Sequence, residues 1–98
     1  MAKFDVFRTH EGTLLLDCQA DLLEHLQTRF VVPLCPERDA PKPAARLNPI
    51  FGIEGDRYVM VTQFAGTVPV REIGDRVCSL LAEQDRVSLA LDMLIAGF

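Results

Sequence analysis

The sequence predicts a mainly β protein with one C-terminal helix: a small, strongly bent antiparallel sheet or partial barrel with the helix packed across it. Two observations carry this. Six or seven short apolar runs follow one another at close spacing, separated by glycine- or proline-containing turns. The chain then changes character, and residues 82–96 contain neither proline nor glycine and consist mostly of good helix formers.

Residues 3–7 (KFDVF) alternate as a strand does, with Phe4 and Val6 facing one way and Asp5 and Phe7 the other. His10-Glu11-Gly12 forms a turn, and residues 13–18 (TLLLDC) are a second run of strand length, so the two make an antiparallel hairpin. Residues 19–28 are a polar connection with Leu22, Leu23 and Leu26, either a short helix or a structured loop capped by Asp21. Residues 29–34 (RFVVPL) are β-branched and aromatic, with Pro33 placing the strand's exit at an edge or bulge.

Pro36, Pro41 and Pro43 make residues 35–45 a surface loop. Glu54-Gly55-Asp56 joins residues 46–53 to 57–64 as a second hairpin. Residues 67–70 and 73–79 read as two further short strands, or the second as the start of a helix, with Gly74 and Val77 favouring strand. In the terminal helix Val87, Ala90, Leu91, Leu94, Ile95 and Phe98 recur every three or four residues and form one core-packing face. Leu89, Met93 and Ala96 lie off that stripe, and only Ser88 and Asp92 are polar between Val87 and Phe98. A helix this apolar is covered by the fold, a second copy or another protein.

Ninety-eight residues form one domain, residues 1–98, large enough for a core without metal or disulfides. The hydrophobic fraction of 49% and charged fraction of 24% are those of an ordinary globular protein. A net charge of −4 and a pI near 5.0 argue against a sequence-independent grip on nucleic acid. No signal sequence or membrane-spanning run is present, so the expected location is the cytoplasm. Cys18, Cys35 and Cys78 are odd in number and widely spaced, which suits small buried hydrophobes better than disulfides or a metal site.

Chemistry leaves little trace. His10 and His25 stand in no motif with Cys or Ser, nothing orders Asp17, Asp21 and Glu24 as an acid/base or metal site, and the six glycines form no phosphate loop. The expectation is a protein that is not an enzyme, holds no metal or cofactor, and acts by binding.

The stretches KFDVF, LDCQADLL followed by FVVPL, TVPVREIGDRV, and an apolar helix ending in glycine plus a large apolar residue together resemble the CcdB family of toxins over nearly the whole chain. The resemblance implies an SH3-like barrel with a small hairpin wing and a C-terminal helix. It also implies a cytoplasmic homodimer neutralised by a cognate CcdA-like antitoxin that folds on binding. The toxin would bind the DNA gyrase A subunit through its C-terminal end and trap gyrase on cleaved DNA, without touching nucleic acid directly or using a membrane. By position, the family's Trp-Gly-Ile ending falls on Ala96, Gly97 and Phe98, so alanine stands where the family has tryptophan. Further gyrase-contact positions fall on Phe4, Leu22, Asp92 and Ile95, with Lys3, Phe7 and Ala20 beside them. Two alternatives stand next to this one. One is a MazF-type endoribonuclease, against which no basic groove or acid/base pair stands out, although Arg29, Arg46 and Arg57 could converge in space; the other is a degenerate homologue that dimerises and binds antitoxin but has lost gyrase poisoning, an idea that Ala96 motivates.

Overall fold

A computed structural model of the chain describes residues 2–97. Seven strands and one helix follow in the order β1 (Asp5–Thr9), β2 (Leu14–Asp17), β3 (Thr28–Pro36), β4 (Ile50–Ile53), β5 (Asp56–Met60), β6 (Gly66–Pro69), β7 (Ile73–Ser79) and α1 (Gln84–Ala96), with short 3₁₀ turns in the connections. All pair antiparallel in one curled half-barrel sheet of order β4-β5-β3-β2-β1-β7, and β6 pairs with β3 off this path. The predicted class and strand count are therefore those of the molecule.

Hairpin β1–β2 turns where glycine allows it: Gly12 lies at φ +94°, and Val6, Phe7 and Arg8 face Leu16, Leu15 and Leu14. Hairpin β4–β5 turns on Glu54 (φ +53°) and Gly55 (φ +84°), two successive left-handed residues, so the turn twists with the strands it joins and pairs Ile53 with Asp56.

The nine-residue β3 is the spine. Its far edge is shared, with β6 pairing residues 28–31 and β5 residues 34–36. Pro33 occupies the gap between these partners. Its carbonyl accepts the Val61 N–H at 3.0 Å on that side, and a strand residue's missing N–H would point the same way, so the proline breaks no ladder bond. Cys35 and Pro36 continue the strand, facing Val59 and Tyr58 of β5, rather than opening the loop, which the proline count had placed at residue 35. The connection instead runs over residues 37–49, so residues 46–49, predicted to begin the next strand, belong to it.

The core joins Phe4 and Val6 to Leu14, Leu16, Val32, Leu34, Phe51, Ile53 and Met60 from the sheet and Val87 and Ala90 from α1. Phe7 and Asp5, on the opposite face of β1, are buried as well, so that face is not left to solvent. Gly74 allows a close crossing of β7 on β1: an added Cβ would lie 2.3 Å from the Arg8 carbonyl oxygen, where the β1–β7 register slips.

The helix differs from expectation. Val87 and Ala90 are buried and Leu91 half-buried, but Leu94 is 41% and Ile95 79% exposed. Burial is concentrated in the first half of α1, with Met93 half-buried beyond it, and the helix is exposed at residues 94–96. The helix closes as predicted, with Gly97 at φ +83° donating its N–H to the Met93 carbonyl.

Candidate functional site

Two regions concentrate what chemistry the chain has, and a buried polar network lies behind them. At the end of β2, Asp17 (0% exposed) pairs with Arg29 (1% exposed) of β3 through the guanidinium Nε at 3.0 Å and a second, shorter contact from Nη2. The other carboxylate oxygen accepts the Gln19 N–H at 3.0 Å. The Gln19 side chain takes the Phe30 N–H and donates to the Leu23 carbonyl. Among the described residues no buried side-chain polar atom is left without a partner. Arg29 is thus consumed inside the fold. Asp21 and Glu24, once possible partners of Asp17, stand exposed, and the Asp21 carboxylate accepts the Lys3 N–H at 2.8 Å.

The first region is the exposed end of α1. Ile95 and Ala96 are exposed, as is Asp92, and Gly97 caps the helix; Phe98 lies outside the described residues. Leu22 is 90% exposed on the connection between β2 and β3, with Leu23 and Leu26 part-exposed beside it. Phe4 is a different matter: it is 6% exposed, sits in the core at a left-handed φ of +75°, and carries the Lys3 ammonium 5.0 Å above its ring. Of the residues predicted to meet gyrase, the structure leaves the helix end and Leu22 open to a partner and uses Phe4 for packing.

The second region is a cleft of about 710 Å³ between residues 43–49, the β4–β5 hairpin and the start of α1. Arg46, Arg57 and Arg86 line it. Arg46 and Arg57 thus converge, as the nuclease alternative allowed, but Arg29 does not. Arg86, which stands in no recognisable motif, completes the set. It is fixed by the Ile50 carbonyl at 2.9 Å, by Glu83 at 3.1 Å and by stacking 4.7 Å over the Phe51 ring.

The cysteines are free. Cys18 is buried, but Cys35 and Cys78 are only half-buried, which corrects the expectation that all three fill the core. Burial pushes the Cys18 thiol up to about 12, with the neighbouring Asp17 adding to the rise and Lys3 opposing it; burial also raises Cys78. His10 and His25 are exposed. Among the described residues no group of three or more His, Cys, Asp or Glu side chains is placed to hold a metal, and no helix is long and apolar enough to cross a membrane.

A curled half-barrel closed by one terminal helix is a fold found in toxin proteins. It is shared with an endoribonuclease from a mycobacterial species (TM-score 0.78, 16% identity, 95% of this chain and 88% of the other) and with an endoribonuclease in complex with its cognate antitoxin (0.77, 16%, 95% and 92%). The Mycobacterium tuberculosis toxin MazF-mt6 is similar too (0.72, 16%, 90% and 90%). At this identity the likeness is one of fold. The sequence itself matches the family described as CcdB protein over residues 3–97, and the chain belongs to the CcdB family of toxins. One expectation is corrected by these neighbours. The sequence pointed to a protein that is not an enzyme, whereas the solved structures sharing its fold are named endoribonucleases, so the lack of a nucleophile motif does not exclude catalysis on this scaffold.

Proposed function

We propose that this chain is the toxin of a toxin–antitoxin pair, that a cognate antitoxin neutralises it, and that it acts on the DNA gyrase A subunit through its C-terminal end. The observation that carries this is the exposed end of α1. Ile95 leaves 79% of its surface in water at the end of a helix whose buried residues are Val87 and Ala90. Ile95 and the neighbouring exposed Leu94 together offer an apolar tip that a partner could bury, and the exposed Leu22 offers further apolar area to it or to a second copy of the chain. A homodimer is part of this reading. Support for the antitoxin comes from the family and from the neighbour whose structure contains one.

The test is binding of the purified chain to the N-terminal fragment of its own host's gyrase A subunit, with a form truncated after Ile95 as control. Binding that is lost on truncation is the expected result. Absence of binding by the full chain refutes the reading.

RNA cleavage is the second reading, favoured by the fold it shares with named endoribonucleases and by the convergence of Arg46 and Arg57. Expression separates the two: growth arrest with DNA damage supports gyrase as target, and arrest with loss of mRNA supports cleavage. A chain that arrests nothing but becomes toxic as Ala96→Trp would be a homologue disarmed by the missing ring.

A further inference from the structure

We propose that the cleft between residues 43–49, the β4–β5 hairpin and the start of α1 is a docking site for an acidic peptide segment carrying aliphatic side chains. Three of the chain's ten Lys and Arg residues line this one cleft although the protein is net acidic at −4. Their placement is built in. Arg46 sits at a left-handed φ of +68°, a conformation that costs a non-glycine residue, and a tight set of bonds holds it there. The buried Asn48 accepts the Ala44 N–H at 3.1 Å and donates to the Met60 carbonyl and to Gln63, and the Asn48 and Leu47 N–H groups bond back to Ala44 and Ala45. Arg86 is held by the Ile50 carbonyl and the Phe51 ring.

The guanidinium groups are available to a ligand. Arg46 makes no ion pair among the described residues. Arg57 is engaged by Glu37 through two bonds of 3.0 Å, Nε to Oε1 and Nη2 to Oε2, and Arg86 by Glu83 at 3.1 Å; both pairs are part-exposed, so an incoming carboxylate competes with Glu37 and Glu83 for these two groups and meets Arg46 unopposed. Carboxylates on an incoming chain would meet planar donor forks suited to them.

The rest of the lining decides the kind of anion. Arg46, Pro49, Arg86 and the half-exposed Leu89 enclose an adjoining, almost wholly apolar hollow of about 220 Å³, large enough for an aliphatic side chain. A single-stranded nucleic acid would instead need aromatic faces for its bases, and the ring beneath Arg86, Phe51, is 3% exposed. Cations flanking an aliphatic hollow match an acidic, leucine-bearing peptide. This surface is separate from the proposed gyrase contact: Arg86 and Ile95 are nine residues apart on α1, about 13 Å along its axis.

The test uses the full chain and fluorescent dodecapeptides of alternating Glu and Leu, with Gln-for-Glu and Ser-for-Leu counterparts and a ten-nucleotide oligouridylate, read by anisotropy. The Glu/Leu peptide is expected to bind and each counterpart to bind at least about tenfold more weakly. The R46Q/R57Q variant should lose about tenfold in affinity, while R8Q/R71Q, with the same loss of charge outside the cleft, should not. No binding of the Glu/Leu peptide at ~1 mM, equal losses in the two variants, or tighter binding of oligouridylate would each overturn the proposal.

Discussion

The buried Asp17–Arg29 pair makes a sharp quantitative prediction. Both side chains are essentially sealed from water, so removing one strands the other's charge in the interior. That costs about 3–5 kcal/mol, against a whole-domain stability of about 5–15 kcal/mol. Asp17→Leu also deprives the Gln19 N–H of its acceptor at 3.0 Å, adding about 1 kcal/mol. Arg29→Met should cost as much as stranding alone, and D17L/R29M should recover most of both losses, because two apolar groups of similar volume leave no buried charge. The Gln19 contribution appears in D17L and in the double variant alike, so it cancels from the coupling energy. In urea, with a slope of about 1.5 kcal/mol per molar and at one fixed protein concentration, Arg29→Met should drop the midpoint by roughly 2–3 M and Asp17→Leu by roughly 3–4 M. A coupling energy below about 1 kcal/mol, the value of an exposed pair, would refute the claim that this pair is a closed unit of the core.

Three further outcomes are expected. Gly74→Ala places a Cβ 2.3 Å from the Arg8 carbonyl oxygen and should cost about 1–3 kcal/mol in the same urea assay; an unchanged midpoint would mean that the β1–β7 crossing gives way freely. The Cys18 thiol, with a folded value of about 12 against 9.0 for a free thiol, binds its proton more tightly in the folded state. Its stabilisation is therefore complete below about pH 9 and is lost as pH rises towards 12, by up to about 1.4 kcal/mol per pH unit, so Cys18→Ala should flatten the alkaline limb of a stability–pH curve, and an equally steep limb would count against it. Ile95→Asp should leave stability within about 0.5 kcal/mol while abolishing binding to the gyrase A fragment, whereas a collapsed urea midpoint would show that Ile95 is a core residue.

What the sequence made legible and what it hid follow from one physical difference. Turn chemistry is local: Glu54-Gly55-Asp56 needs left-handed backbone at two neighbouring residues, and such a requirement can be seen in three letters. Helix termination at Gly97 is local in the same way. The Asp17–Arg29 pair is not. It depends on β2 and β3 lying side by side with Asp17 facing Val31, a register that neither residue type announces, and a lone aspartate before Cys18 gives no sign of pointing inward. Arg86 escaped notice for a like reason, since only the fold brings the start of α1 against Ile50 and Phe51.

The helix is the instructive middle case. Periodicity identified its apolar stripe correctly from Val87 to Ile95, and the first half of that stripe is buried. But periodicity states only which residues share a face; it cannot state how far the sheet extends beneath them. Val87 and Ala90 are buried in the core and Leu91 packs against it, with Met93 half-buried beyond, while the same stripe is exposed at Leu94 and Ile95. Leu94 and Ile95 are not among the core residues that Val87 and Ala90 join. The proposed partner contact rests on this continued apolar character beyond the last buried residue, and Ile95→Asp is the variant that tests it.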